Sequence, residues 1–241
     1  MRYFIIVLFI AIAPSSLIAN SGGHLERANI DIYDQESLQH GAQLFVNYCQ
    51  GCHSLKYQRY SRLAKDIGLS KAETMQNLIF NGSKVTDHMT TSMTASQGEA
   101  WFGKAPPDLT LKARARGVDW LYTYLKSFYV DSSRPFGVNN TLFPSVGMPH
   151  VLAGLQGIQS AEFEKHEDGA VHFKHFKMET AGSLSAEEYD TAVRDLVNFL
   201  AYVAEPIKRE RQKLGIYVLI FLAFFFGLTY MLKKEYWKDI H

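Results

Sequence analysis

The chain of 241 residues contains only two cysteines, and both belong to one short motif. They stand as Cys49-Gln50-Gly51-Cys52-His53, with two residues between the thiols and a histidine directly after the second. This spacing is typical of covalent attachment of a c-type haem. Two intervening residues let both sulfurs reach the vinyl groups on one edge of the porphyrin, and the adjacent imidazole then falls beneath the iron. The sequence therefore predicts one haem c, bound covalently by Cys49 and Cys52 and ligated by His53.

Three other uses of a cysteine pair are compatible with part of this motif. A zinc site requires four nitrogen or sulfur ligands, and the chain has no second cysteine pair, so distant histidines would have to supply the rest. A structural disulfide or a thioredoxin-like redox pair needs no following histidine, and the alternation of strands and helices typical of thioredoxin-like folds is missing. Haem attachment is the interpretation that uses all three side chains.

The motif leaves the second axial ligand of the iron open. Methionine is the usual partner of histidine in electron-transfer cytochromes, because its soft thioether favours reduced iron. Met148 lies between Gly147 and Pro149 and follows Pro144, so its backbone is restricted while the glycine permits close approach to the macrocycle. We predict Met148 as this ligand, with His150 as the alternative. The other methionines outside the two apolar ends are Met75, Met89, Met93 and Met178.

Arg134 is an isolated cation in a turn-rich segment, directly before Pro135. Two roles are open for its side chain. It either lies on the surface in solvent or pairs with a haem propionate through charge-assisted hydrogen bonds.

The N-terminus carries a short apolar segment. Arg2 precedes an apolar run over residues 3–13, and small and apolar residues follow up to Ala19. The run is shorter than the roughly 20 residues that a bilayer requires, and a basic start with a small final residue is typical of a secretory signal peptide. We predict a signal peptide over residues 1–19, with an uncleaved anchor as the alternative.

The second apolar segment lies near the C-terminus. Residues 214–232 contain no charged side chain, and a helix of this length rises about 28 Å, close to the thickness of the hydrocarbon core. We therefore predict a transmembrane helix over 214–232. Because a signal peptide would export residues 20–213, the tail 233–241 would remain in the cytoplasm. This topology predicts a single-pass protein of the bacterial inner membrane, with the haem domain on the periplasmic side.

Helical patterns bracket the exported domain, which we expect to be mainly α with long loops. One amphipathic pattern starts at Asp34 and runs straight into Cys49. The other opens with a capping box, Ser185 and Glu188, and Pro206 ends or interrupts it. Shorter helices are predicted over residues 70–80 and 118–128, and loops over residues 82–108 and 131–154. Loops of that length usually have a functional reason or a ligand to pack against.

The charge balance excludes one class of partner. The chain has 25 Lys and Arg residues against 24 Asp and Glu residues, a formal net charge of +1. Nucleic-acid binding needs a basic excess on some face, so no nucleic-acid partner is expected.

Several blocks in the right order resemble the cytochrome c1 family, the haem subunit of the cytochrome bc1 complex. Residues 49–64 resemble its haem helix and the continuation of that helix, and residues 105–109 resemble its proline turn. Residues 132–144 are similar to its distal loop, and residues 148–152 to its axial-methionine segment. The resemblance covers most of the exported domain and the C-terminal anchor.

This resemblance implies roles for individual residues. Cys49 and Cys52 would be the thioether residues of a covalent haem c. His53 and Met148 would be the axial ligands of the iron, and Arg134 would be the propionate partner.

The resemblance also implies a function. The chain would be an electron-transfer subunit, not an enzyme by itself, of a quinol:cytochrome c oxidoreductase complex. It would take electrons from a Rieske iron–sulfur protein and deliver them to a soluble or anchored cytochrome c, with cytochrome b beside its transmembrane helix. Two alternatives remain at this point: an anchored cytochrome that feeds a terminal oxidase or reductase, and a non-haem exported protein with a disulfide and a tail anchor.

Overall fold

The computed structural model describes residues 25–165 and 171–240, so the predicted signal peptide lies outside the described residues. A π-helical turn, Phe45–Cys49, follows the first helix, and a 3-10 turn, Lys238–Ile240, follows the last. The helices of the described residues are α1 (Gln35–Leu44), α2 (Tyr60–Asp66), α3 (Lys71–Leu78), α4 (Ala95–Phe102), α5 (Lys112–Arg116), α6 (Val118–Lys126), α7 (Ala153–Gln156), α8 (Ala186–Ala204) and α9 (Lys208–Tyr236).

Strands form three antiparallel pairs among the described residues, and each pair stands alone as a two-stranded sheet. The third pair is a long hairpin whose second strand is largely exposed along its length. The pairs are β1 (Leu55–Arg59) with β2 (His88–Met89), β3 (Phe128–Val130) with β4 (Val138–Asn140), and β5 (Gly157–Lys165) with β6 (Val171–Ala181).

The core is built around α1 and α8. A Cβ atom placed on Gly41 of α1 would lie 2.1 Å from the carbonyl oxygen of Asp195 and 2.7 Å from the Cβ of Phe199, so the two helix backbones touch at this glycine. Polar side chains seal one edge of the contact, where Asp195 accepts hydrogen bonds from Ser37 Oγ at 2.6 Å and pairs with His40 Nδ1 at 2.7 Å. Backbone contact of this kind fixes how the two helices cross.

The capping box predicted for the second long helix is confirmed, and the first long helix is also capped by a side chain. Asp34 caps α1 by accepting a hydrogen bond from the backbone N–H of Ser37. Ser185 and Glu188 form the reciprocal capping box that starts α8. The helix ends at Ala204, shortly before Pro206, as the proline predicts.

The first helix does run into the cysteine motif, but its last turn is widened. The backbone N–H of Gln50 bonds to the carbonyl of Phe45, five residues back, which is the π-helical pattern. The next turn tightens again, with the N–H groups of Cys52 and His53 both bonded to the carbonyl of Cys49. The motif is therefore a rigid continuation of α1.

Several segments differ from the sequence predictions. The segment 131–154, predicted as a loop, contains β4 and the start of α7. The segment 82–108, predicted as a loop, contains α4, which begins with a capping box of Thr94 and Gln97.

The β5–β6 hairpin was not predicted, although residues 171–174 and 176–179 alternate apolar and polar side chains as an exposed strand can. The prediction of a mainly α domain is thus confirmed for the helices and incomplete for the strands.

The last helix contains the predicted transmembrane segment. Within the described residues, one helix is long and apolar enough to cross a membrane, over Glu210–Tyr236, and none of it is buried inside the protein. Its charge-free part, residues 214–232, is flanked by Lys213 and Lys233. The part of the chain that the structure describes therefore has one candidate transmembrane helix, and it contains the predicted segment.

The contact at Gly41 generates a stability prediction. We expect Gly41→Ala to lower the free energy of unfolding by about 2 kcal/mol, because the added methyl group meets backbone atoms of α8 that cannot rotate away. For a protein of this size, that loss corresponds to a fall of about 5 °C in the midpoint of thermal unfolding. Thermal unfolding of the detergent-purified protein, followed by circular dichroism, measures it.

Gly154→Ala is the matched control. No heavy atom outside the neighbouring backbone lies within 4 Å of a Cβ at Gly154, so this variant should unfold at the wild-type temperature. Equal unfolding midpoints for both variants would show that α1 and α8 are not in tight contact.

Candidate haem-binding site

One cavity of the described residues has a volume of about 370 Å³ and a mainly apolar wall. Helices and loops both contribute to this wall, beside the cysteine motif itself. Helix α6 contributes Trp120, Leu121, Tyr124 and Leu125, α8 contributes Leu196 and Leu200, the proline segment contributes Ala105, Pro106, Pro107 and Leu109, and the methionine loop contributes Phe143, Val146, Gly147, Met148, Pro149 and Val151.

All three chemistry-bearing residues of the motif, Cys49, Cys52 and His53, lie on the wall of this cavity. Both cysteines are free thiols. Burial raises the pKa of Cys49 to about 12, with a smaller contribution from Cys52, and burial also raises the pKa of Cys52. Reactive redox cysteines have a lowered pKa instead. The pair therefore lacks the electrostatic surroundings of a thioredoxin-like redox site.

His53 is oriented by one strong hydrogen bond. Its Nδ1 lies 2.7 Å from the carbonyl oxygen of Pro107, and because a carbonyl only accepts, Nδ1 carries the proton and donates. The opposite nitrogen, Nε2, keeps its lone pair. Burial lowers the pKa of His53, although the Pro107 carbonyl opposes that shift, so the neutral imidazole that ligates metals is favoured.

The proline segment is itself held against the motif. The backbone N–H of Leu109 donates to the carbonyl of Ser54 at 2.9 Å, and the N–H of Lys56 donates to Asp108 Oδ2 at 2.8 Å. Both bonds are made by the two residues that follow Pro107, so the carbonyl that orients the imidazole is held close to the motif. The segment that the sequence showed only as a turn thus has a clear structural role.

Met148 lies on the cavity wall, carried by a loop that two asparagines organise. Asn139 Oδ1 accepts a hydrogen bond from the backbone N–H of Ser145 at 2.9 Å. Asn140 Oδ1 accepts from the N–H groups of Leu142 and Phe143, both at 3.0 Å. The loop then reverses direction at Ser145, whose φ of 63° is unusual for a residue with a side chain.

His150, the alternative axial ligand from the sequence, does not line the cavity. Its ring stacks on Phe128, with the ring centroids 4.9 Å apart and the planes within 2°. Burial lowers the pKa of His150 to about 4. The geometry thus places Met148 on the wall and turns His150 away from it.

Tyr124 is a cavity residue that sequence reasoning missed. Its hydroxyl donates a hydrogen bond to Met148 Sδ, over an oxygen-to-sulfur distance of 3.4 Å. Burial raises the pKa of Tyr124, so the hydroxyl keeps its proton. The helical pattern over residues 118–128 gave α6, but only the tertiary contact shows which side chain meets the methionine.

Three cations line the cavity, Lys104, Lys112 and Arg116, and no carboxylate is present on the part of its wall that the structure describes. The guanidinium of Arg116 lies over the Trp120 ring, 5.0 Å from the centroid.

Sequence reasoning missed Arg116 and selected Arg134 as the candidate propionate partner. Arg134 is half-buried between β3 and β4 and does not line the cavity. The role of Arg134 as propionate partner stays a prediction.

These observations show that the residues present fit a haem c. The cavity offers two thiols next to an imidazole with a free Nε2, a thioether elsewhere on the wall, apolar surfaces for a macrocycle and cations for two propionates. The same residues do not fit a zinc site, since no group of three His, Cys, Asp or Glu side chains that could hold a metal ion is present among residues 25–165 and 171–240.

Comparison with known proteins agrees with this assignment. The model of the cytochrome c1 family matches residues 26–240. The chain is 56% identical to a cytochrome c1 of Allochromatium vinosum over the full length of both chains. It is 47% identical to a protein of Nitrosomonas europaea named ammonia monooxygenase gamma subunit, over 97% of each chain. It is also 27% identical to a Bradyrhizobium diazoefficiens protein named cytochrome b/c1, over 87% of this chain and 34% of that protein.

The family model covers most of the chain, and more than half of the residues are identical in a full-length relative. The haem motif, the cavity and the C-terminal membrane helix are consistent with this match. The chain therefore belongs to the cytochrome c1 family, whose members are haem-containing electron-transfer subunits of the cytochrome bc1 complex.

Proposed function

We propose that this chain carries electrons from a Rieske iron–sulfur protein to a soluble or anchored cytochrome c during quinol oxidation, with one covalently bound haem c as its redox group. The observation that carries the proposal is the single cavity whose wall holds Cys49, Cys52, His53 and Met148 together. When bound, haem c supplies a one-electron couple at iron. The chain is then an electron-transfer subunit, and the chemistry of quinol oxidation belongs to its partners.

The residues of the cavity hold and tune this group. Cys49 and Cys52 would form the two thioether bonds, at the end of the helical segment that starts with α1. His53 would offer Nε2 to the iron, since Pro107 holds its other nitrogen. Met148 would offer its sulfur as a second ligand, and a soft thioether favours reduced iron and raises the reduction potential.

Arg116 and the two lysines of the cavity wall serve the propionates in this proposal. An arginine forms paired charge-assisted hydrogen bonds with a carboxylate, and Arg116 is already oriented by its contact with Trp120. Arg134 remains a second candidate from the distal loop, since its Nε is a buried donor without a hydrogen-bond partner among the described residues.

The membrane helix places the haem domain next to its partners. We infer that residues 1–19 are a signal peptide, residues 20–213 the exported domain, residues 214–232 the transmembrane helix and residues 233–241 a cytoplasmic tail of a bacterial inner-membrane protein. The periplasmic haem domain then faces the Rieske protein and the cytochrome c, while cytochrome b packs beside α9 in the bilayer. The relative named cytochrome b/c1 supports this pairing.

A second candidate function comes from the relative named ammonia monooxygenase gamma subunit. In that case the chain would be a haem subunit of a monooxygenase assembly. An anchored cytochrome that feeds a terminal oxidase or reductase is a third possibility of the same kind. All three functions use the same haem site and differ in the proteins that bind this chain. The subunits that co-purify with the chain therefore distinguish them.

Co-purification tests the assembly. With a C-terminal tag and a mild detergent, we expect b-type haem to accompany the chain, visible in the dithionite-reduced minus ascorbate-reduced spectrum. Quinol-dependent reduction of cytochrome c by the same preparation is the accompanying activity. Purification of c haem alone, from membranes with intact quinol oxidation, would favour an oxidase-feeding role, and monooxygenase subunits in the preparation would favour the second candidate.

Replacing Met148 tests the sulfur ligand. We expect Met148→Leu to keep its covalent haem and to lower the reduction potential by on the order of 100 mV, within the roughly 0.8 V range over which axial ligands tune haem iron. A redox titration of the purified complex measures this change. Met178→Leu is the matched control, because Met178 is half exposed on β6 and should leave the potential unchanged. A wild-type potential in both variants would remove Met148 from the ligand set.

Replacing the thiols tests covalent attachment. We expect Cys49→Ser and Cys52→Ser each to reduce covalent haem strongly, because these are the only thiols in the chain. Haem staining of a denaturing gel, compared with an immunoblot of the same samples, separates loss of haem from loss of protein. Full haem occupancy in both variants would rule out this attachment, and absence of covalent haem from the wild type would support a non-haem protein.

A further inference from the structure

The hydroxyl of Tyr124 lies 3.4 Å from the sulfur of Met148, inside the cavity proposed for the haem. We propose that Tyr124 raises the reduction potential of the haem iron by donating a hydrogen bond to the sulfur that ligates it. This inference rests on the proposed function, in which Met148 is the axial ligand. Tyr124 is a positioning residue in this scheme, since it acts on the iron only through Met148.

The Met148 sulfur can bind iron and accept a hydrogen bond at the same time. A thioether sulfur carries two lone pairs and accepts hydrogen bonds weakly. One lone pair would be available to the iron, while the other accepts the hydrogen bond from the Tyr124 hydroxyl. Because a thioether has no proton, the tyrosine must be the donor.

Packing fixes the direction of the hydroxyl. The Tyr124 ring is stacked on Trp120, with centroids 5.0 Å apart and planes within 9°. Phe128 and Phe143 contact it edge to face, at 5.2 Å and 6.5 Å. A ring enclosed by three aromatic neighbours keeps its phenol oxygen at one place, so the donor is oriented before the sulfur binds metal.

One asparagine ties the donor to the acceptor loop. Asn140 Nδ2 donates to the backbone carbonyl of Tyr124 at 2.8 Å. Asn140 Oδ1 accepts from the N–H groups of Leu142 and Phe143, which begin the loop that carries Met148. Helix α6 and the methionine loop therefore keep their separation through a side chain that is itself 1% exposed.

The direction in which the hydrogen bond shifts the reduction potential follows from how much electron density each oxidation state of the iron needs. A hydrogen bond to sulfur withdraws electron density from the lone pairs, so the thioether becomes a poorer donor. Oxidised iron needs that donation more than reduced iron does. The hydrogen bond therefore favours the reduced state, and its removal should favour the oxidised state.

The test removes the hydroxyl and keeps the ring. Tyr124→Phe in the purified complex should make reduction less favourable by about fivefold, the factor that about 1 kcal/mol of hydrogen bonding represents. At about 59 mV per tenfold for a one-electron couple, this is a fall of about 40 mV in a redox titration. The long-wavelength absorption band of a methionine-ligated ferric haem should persist, because the sulfur stays bound.

Tyr122→Phe is the matched control on the same helix. Its hydroxyl bonds to Asp190 and receives a hydrogen bond from Lys126, and Tyr122 does not line the cavity. This variant should keep the wild-type potential. An equal fall in both variants would overturn the proposal, since it would reflect general loosening of α6.

A double-mutant cycle shows whether the hydroxyl acts through sulfur. In a Met148→Leu background, Tyr124→Phe should cause no further fall in potential, because the acceptor is absent. An equal fall in both backgrounds would mean that the hydroxyl acts on the iron by another route, which overturns the proposal.

Two results separate this inference from the proposed function. A wild-type protein with the methionine-to-iron band and an unchanged potential in Tyr124→Phe overturns the inference alone. A wild-type protein without covalent haem, or without that band, overturns the axial role of Met148 and the inference with it.

Discussion

The contact between α1 and α8 at Gly41 is the constraint on which the rest of the site depends. Because the two backbones touch there, the direction of α1 is fixed, and the π-helical turn carries that direction into Cys49 without a flexible joint. The same α8 supplies Leu196 and Leu200 to the cavity. The thiols and one wall of the cavity are therefore positioned by a single helix crossing.

The remaining walls are loops, and side chain to backbone hydrogen bonds give them their rigidity. His53 is bonded to a carbonyl of the proline segment, and Asn140 bonds both α6 and the methionine loop. Long loops usually lose much of their conformational entropy only when they pack against a ligand. Here polar links define both sides of the cavity in advance, which restricts where a macrocycle can lie.

Features encoded within a few residues were predictable from the sequence, and features that depend on distant contacts were not. The spacing of the cysteine motif, the capping box at Ser185 and the apolar segment 214–232 each reflect local physics, and the structure has the corresponding helices and motif. Arg116 and Tyr124 carry no local signal, because their significance comes from the Trp120 and Met148 side chains that the fold brings to them. Arg134 was selected for its neighbours in the sequence, and the fold places it off the cavity wall.

Residues 214–232 of α9 carry no charged side chain, and none of them is buried against the rest of the described chain. In lipid, such a surface gains no hydrophobic stabilisation from burial against another helix, since lipid tails are as apolar as leucine. Association in the bilayer then depends on close packing, which small residues such as Gly215 and Gly227 permit. The haem domain contacts the start of this helix, where Gln212 accepts a hydrogen bond from the Tyr33 hydroxyl at 2.8 Å, so a change on the domain surface can alter how the helix is presented to its neighbours in the membrane.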